Sequence, residues 1–463
     1  MGPGRWGHAR YRVLMMQVVR GPGVDYYVRD LVPGRAEETL VAGESPGRWT
    51  GRGSEALGLH GPVDPDGFRQ LLGGRDPAGG RGLRAARGDR PVSGFDLTFC
   101  APKSASILHL LAPRELGAAV GSAHLAAVGD AVEYLERHGH GVRRVRAGDV
   151  HRLDSTGVVA AGFVHRTSRA LDPHLHSHVV AANVAQGVDG TWSSLDSRRL
   201  FHHRRATGAV YDASLRHHLA GSAGVAWRRT SSGRWEVEGV DPVLCRVFSQ
   251  RAASIDEASR RTTAITGRGV RRAAFFADRP DKVAGTTVDD LRVTWRRRLV
   301  DLGIDSGDLV RTVGRSRTGP CPPIVDAEAM RSGLEHLHAN RTRVSVRDLV
   351  ATIADAAPSG LPGGAAERVA TVLEDALAEL ATPDAARAQD LTQGTSLWST
   401  SQVTALLRTD PDLIDRAAAG RGPTARRAGT GIDGPGRDRS LGAGSDRVRT
   451  FGHRGAVAAD LIR

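Results

Sequence analysis

Cysteine is scarce in this 463-residue chain: Cys100, Cys245 and Cys321 are the only three, and no two form a CxxC pair. That spacing excludes a disulfide scaffold and a thiolate zinc site. Lysine occurs only at Lys103 and Lys282, so arginine carries nearly all the basic charge. Aromatic residues make up 5% of the chain against 40% hydrophobic residues in all, so a core has to be built from Val, Leu and Ala. No apolar run approaches the ~20 residues of a membrane-spanning helix. The segment Met1 to Arg10 has no apolar signal core, and a cytoplasmic location is expected.

What is present is charge and histidine. The formal net charge is +13, from 64 basic and 51 acidic residues, with 18 histidines besides. A sequence pI near 10.7 favours a polyanionic partner such as nucleic acid over an acidic protein. Arginine excess also follows from GC-rich coding, so charge by itself is weak support for DNA.

Three histidines stand apart from the rest. His176 and His178 flank Ser177 in the run Leu175 to Ala181, eleven residues beyond His165. Side chains alternate along a strand, so His176 and His178 leave the same face. His165 ends another β-prone run, Val158 to Val164. If the two strands pair, three imidazoles converge, and a three-histidine cluster with an open position suits a catalytic metal. Taken singly, each histidine reads as an ordinary residue of a His-rich chain.

The remaining pattern organises the chain. Val13 to Val19 predicts a strand, with Met15 or Met16 a candidate true start, and Asp25 can cap a short helix through Leu31. Gly74 to Gly94 predicts a loop and Phe95 to Phe99 a strand; Ser104 can open a helix. Leu116 through Leu135 marks a long amphipathic helix stopped at Gly139. Tyr211, Leu215 and Leu219 suggest another helix, and Val225 to Val237 a hairpin across Ser231-Ser232-Gly233. From about residue 290 the pattern turns helical, with capping-box spacing at Ser345 and Asp348 and a stripe from Val369 to Leu380. Near the end the composition shifts to Gly, Arg, Ala and Asp, which predicts disorder.

A tyrosine pair, an isolated acid and the histidine triple call for a joint explanation. A tyrosine hydroxyl near a metal can attack a phosphodiester and stay attached to the phosphate. The metal neutralises charge on the non-bridging oxygens. A nearby carboxylate accepts the phenol proton or orients a ligand histidine.

This set resembles the conjugative relaxases of the single-strand-nicking HUH endonuclease superfamily, in the TrwC/TraI-like branch where a relaxase is fused to a helicase. The resemblance runs through Tyr26-Tyr27, Pro46-Gly47-Arg48-Trp49, Phe95 to Ser104, Phe163 to Ser168, Asp172 to His178 and Asp189-Gly190-Thr191-Trp192, in order, from about Met16 to Arg315. It implies an α+β fold: an antiparallel five-stranded HUH-type sheet flanked by helices. The expected organisation is a polar extension over 1–12, a relaxase domain over 13–315, a small helical lead-in over 316–410 and a disordered basic tail over 411–463.

The resemblance also assigns roles. Tyr26 would be the nucleophile that nicks one strand at a transfer origin and keeps the 5′ phosphate. Tyr27 would pack, help position DNA or serve as nucleophile in its stead. Asp96 would act as base or orient a ligand histidine. His165, His176 and His178 would bind one divalent metal ion, with Mg, Mn and Zn all compatible, and His174 would be a neighbouring or surface residue. Lys103 and Ser104 suit phosphate contacts or a structural turn equally. Arg143, Arg144, Arg198, Arg199, Arg204 and Arg205 are candidate backbone contacts, and Trp192 either stacks on a base or fills the core. Single-stranded origin DNA, a type IV coupling protein and accessory nicking proteins are the implied partners.

Two departures qualify the likeness. Many relatives carry a second tyrosine pair before the Pro-Gly-Arg-Trp motif, but Glu37 to Ser45 contains none. No GxxxxGK[ST] motif occurs, so ATPase and helicase activity are not expected and the chain reads as truncated before the motor. The rival readings are an inactive remnant that only binds DNA and, within the enzyme class, a replication initiator or transposase of the same superfamily.

Overall fold

The structure, a computed structural model, describes residues 13–21, 24, 27, 46–84, 91–146, 148–168, 170–250, 253, 287–313, 325–340, 343–380, 388–390, 395–410 and 413–418. At its centre are five strands: β1 (Leu14–Arg20), β2 (Arg48–Thr50), β3 (Val92–Cys100), β6 (Ala160–Thr167) and β7 (Pro173–Ala182). They lie in the order β1-β3-β7-β6-β2, and every neighbouring pair is antiparallel. Between β3 and β6 the chain forms the hairpin β4 (Gly141–Arg146) and β5 (Asp149–Asp154).

The two faces of this sheet have different fates because their alternating residues differ. Phe95, Leu97 and Phe99 of β3, with Leu175 and Val179 of β7, point to one face and form the larger core. That face is covered by α2 (Lys103–Leu111), α3 (Arg114–Tyr134), α4 (Ser197–Ala223) and α5 (Val288–Asp301). The other face is covered by the shorter helix α1 (Pro65–Leu72), whose Phe68, Leu71 and Leu72 pack with Val180, Ala161 and Phe163. Gly47 is required here: a Cβ on it would lie 2.2 Å from the Phe163 ring.

Burial along β7 shows where this second layer stops. Its first six residues alternate between buried and half-buried, whereas Val179 to Ala182 are buried throughout. The half-buried members are His174, His176 and His178. The layer around α1 therefore leaves the histidine end of the sheet open.

Helix boundaries follow local chemistry. Asp64 caps α1 by accepting from the Gly67 amide, with Pro65 in the first turn. Asp196 caps α4, and Gly224 ends it in the left-handed region at φ 62°. The predicted long helix is α3, which runs into a single π-type turn at Leu135–Gly139.

A second hydrophobic cluster occupies 325–418. It combines α6 (Ala327–Asn340), α7 (Val346–Asp355), α8 (Ala365–Leu380) and α9 (Thr400–Thr409), and it packs on Ala206, Val210 and Ala213 of α4. The predicted box is present, with the Ser345 hydroxyl donating to Asp348 at 2.7 Å. This region is not purely helical as expected. Arg343–Ser345, Thr395–Ser399 and Ala388–Asp390 form a three-stranded sheet in that spatial order. Strands of three to five residues carry too little alternation to show a period of two. Leu413–Ala418 is helical with Leu413, Ile414 and Ala417 buried, so structure continues past the predicted boundary at 410.

Candidate metal centre and tyrosine site

The two histidine strands pair, and their register sets the cluster. His165 of β6 lies directly opposite His176 of β7, and His178 lies two residues further along the same face. Ring centroids are 5.3 Å apart for His165–His176, 5.4 Å for His165–His178 and 5.3 Å for His176–His178. One nitrogen from each lies within 4.8 Å of the other two.

Hydrogen bonds fix two of the rings. Nδ1 of His176 donates to the His174 carbonyl at 2.9 Å. Nδ1 of His178 lies 2.9 Å from both oxygens of Asp96. With both Nδ1 atoms donating, each Nε2 presents its lone pair. Burial, reinforced by the other two histidines, holds His165 well below the ordinary imidazole value. Burial and His178 push His176 down to about 3. Neutral imidazoles with free lone pairs are the form a metal requires. The donor set thus fits a divalent cation: three imidazole nitrogens and, in Asp96, a carboxylate behind one of them.

Asp96 is 2% exposed and sits two pairs along the same face from His176, where its neighbour in β7 is Val180. Besides His178 it accepts from the Tyr27 hydroxyl at 2.9 Å and from the Thr98 hydroxyl at 3.3 Å. A single carboxylate therefore joins Tyr27 to the histidine cluster. Tyr27 is itself buried against the α1 layer. Tyr26 lies outside the described residues.

The other predicted residues divide clearly. His174 stacks on the His176 ring at 4.6 Å between centroids, beside the cluster and not in it. Lys103 is half-buried and donates to the Pro173 carbonyl at 2.6 Å, which anchors the start of β7. Ser104 is fully buried; its hydroxyl donates to Glu236 at 2.6 Å and accepts from the Val237 amide at 2.8 Å. These bonds give Ser104, in the first turn of α2, a structural role, the second of its two readings. Arg144 is committed to Asp189, the Thr191 carbonyl and Ser193. Arg199 is committed to the His138 carbonyl and Asp154. Asp348 lies 3.8 Å from Arg205, and Arg204 is half-buried with partners of its own. Arg143 and Arg198 are exposed. Trp192 is half-buried against the α1 cluster, in the Gln186–Trp192 pair of a short hairpin.

Two contributors were not singled out in the sequence. Thr98 bridges, with its hydroxyl 3.2 Å from Nδ1 of His178 as well as on Asp96. Its spacing of two from Asp96 on a strand was the available signal. The His174 carbonyl is a backbone group, which side-chain motifs do not reveal.

Fold and site together define a class: an antiparallel sheet carrying a three-histidine metal centre, with a tyrosine wired to it through one carboxylate. The profile of the TrwC relaxase family matches residues 11–302, and this chain belongs to that family. The conjugative relaxase TrwC in complex with OriT DNA, in a metal-free structure, matches with a TM-score of 0.56 at 30% identity over 63% of this chain and 99% of that one. A metal-bound TrwC–OriT complex matches with a TM-score of 0.55 at the same 30% identity and over the same shares of both chains. The multifunctional conjugation protein TraI of Escherichia coli is 33% identical over 280 residues, 57% of this chain. The match spans 15% of TraI's length. Among the described residues no helix is long and apolar enough to cross a membrane.

Proposed function

We propose that this chain is a cytoplasmic DNA relaxase that nicks one strand at the transfer origin of a plasmid or integrative element through a covalent 5′-phosphotyrosine. The observation that carries the reading is Asp96, held at once by the Tyr27 hydroxyl and by Nδ1 of His178. Similarity to TrwC–OriT complexes supports origin DNA as the partner. A type IV coupling protein and accessory nicking proteins belong to the same proposal. These residues carry no GxxxxGK[ST] motif, so no ATP-driven unwinding is assigned to them.

His165, His176 and His178 would hold the cation, with Mg, Mn and Zn all compatible with three imidazoles. When bound, it supplies positive charge to the non-bridging oxygens of the scissile phosphate. The chain's own residues do the rest. A tyrosine oxygen forms a bond to phosphorus while the bond to the 3′ oxygen breaks. The phenol proton passes to Asp96, and the departing 3′ oxygen takes up a proton to leave a free 3′-hydroxyl. Reversal needs the same groups and no second tyrosine. Exposed Arg143 and Arg198 would supply salt-dependent contacts to the DNA backbone.

Tyr26 is the proposed nucleophile, by its place in the motif. A second reading, with Tyr27 as nucleophile, is favoured by one observation: its hydroxyl already rests on Asp96. A labelled origin oligonucleotide with divalent metal separates these readings. The wild-type chain should give a covalent adduct on a denaturing gel, and Tyr26→Phe should give none. Loss of adduct in Tyr27→Phe alone would transfer the role. Absence of adduct from the wild type, with DNA still bound, would leave the inactive remnant standing.

A further inference from the structure

We infer that His124, on the far side of the sheet from the histidine cluster, is a positioning residue that holds the two β7 ligands in place through Ser177. The inference rests on the metal centre proposed above. Ser177 separates His176 from His178, so its side chain leaves the opposite face of β7. There the Ser177 hydroxyl lies 2.7 Å from Nε2 of His124, and Nδ1 of His124 lies 2.8 Å from the Tyr211 hydroxyl. Ser177 belongs to β7, His124 to α3 and Tyr211 to α4. Three elements are thus tied together directly beneath the cluster.

The setting is apolar. Phe99 pairs with Ser177 across β3 and β7 and packs on the Tyr211 ring at 5.4 Å. His124 and Tyr211 are fully buried. A neutral imidazole has one donor and one acceptor, and each hydroxyl can take either part, so the chain is satisfied in both proton orders. Burial keeps the His124 ring neutral, pushed down to about 3.

Three apolar side chains would fill the same space without needing partners. The polar chain adds direction instead: it fixes the height of residue 177 above α3 and α4. His176 and His178 are the chain neighbours of that residue. A shift of the backbone at 177 tilts both imidazoles, and metal sites tolerate only about 0.2 Å in ligand distance. No other hydrogen bond found among the described residues ties the side chain of a β7 residue between two ligands to a helix behind it.

The test is metal affinity, read by titrating Co(II) into metal-free protein and following its d–d absorption. His124→Leu removes both bonds, Ser177→Ala removes one end, and His176→Ala is the control for the centre itself. Urea unfolding of each metal-free variant reports stability separately. The expected result is a Kd raised about tenfold in His124→Leu and Ser177→Ala, with an altered d–d band and, for Ser177→Ala, an unfolding midpoint lowered by the partner that buried His124 loses. If His124→Leu does not fold, Ser177→Ala carries the test. Wild-type Kd and spectrum in the folded variants, with binding lost in His176→Ala, would overturn the inference and leave the centre intact. No Co(II) binding by the wild type would overturn the centre, and the inference with it.

Discussion

Replacing Asp96 with asparagine should separate metal binding from proton transfer. Three donors converge on this carboxylate: the Tyr27 hydroxyl, the Thr98 hydroxyl and the His178 imidazole. Asparagine keeps one acceptor oxygen and replaces the other with two N–H donors. The His178 N–H cannot reverse its direction, so it keeps the oxygen. The tyrosine hydroxyl can turn and accept, which removes its proton from the acceptor. An unsatisfied buried donor costs ~1–3 kcal/mol, and this rearrangement holds the loss of stability near the lower end, about 1 kcal/mol. Weakening the group behind a metal ligand costs about tenfold to a hundredfold in affinity, or about 1.4 to 2.8 kcal/mol at ~1.4 kcal/mol per decade. Removing the proton acceptor costs a further factor of about 10² to 10⁴ in rate. Urea unfolding, metal titration and the adduct assay measure the three effects in turn. An Asp96→Asn enzyme that forms adduct within tenfold of wild type at saturating metal would refute the assignment.

Three further outcomes are expected. Burial pushes His124, His140 and His203 each down to about 3, below the ~6.5 of an unfolded histidine. The unfolded chain then binds more protons, so stability is whole above pH ~6.5 and falls as pH drops from there toward 5, by up to ~1.4 kcal/mol per pH unit for each ring; urea midpoints that stay flat over this range would contradict it. Arg216 is fully buried, pairs with Asp212 and donates to the carbonyls of Ala354 at 2.7 Å and Ala357 at 3.1 Å. Arg216→Met should cost ~3–5 kcal/mol in urea unfolding, and adding Asp212→Leu should recover part of it. Ser104→Ala should destabilise the fold by ~1–3 kcal/mol yet leave the salt dependence of DNA binding unchanged, whereas Arg143→Ala should lower that slope by about 1.

Much of the site was legible because strand periodicity is short-range. The spacing of two between His176 and His178 fixed their shared face, and the run ending at His165 marked its partner strand. Register supplied the rest, since His165 opposite His176 depends on the turn between β6 and β7. Long helices were visible through their apolar stripes, as at Val369 to Leu380. The small sheet in the C-terminal region was not, because its strands are short and Arg343–Ser345 finds its partner, Thr395–Ser399, across two intervening helices. Arginine roles were the least legible. Arg143 and Arg144 are neighbours, yet one is exposed and the other is locked onto Asp189. That difference is decided by a turn 45 residues away, and no local pattern records it.

The most direct measurement is anomalous X-ray scattering from crystals soaked in Mn(II). One peak is expected, about 2.0–2.2 Å from a nitrogen of each of His165, His176 and His178, with Asp96 still on Nδ1 of His178. A peak held by other residues, or none at a concentration that supports adduct formation, would contradict the account.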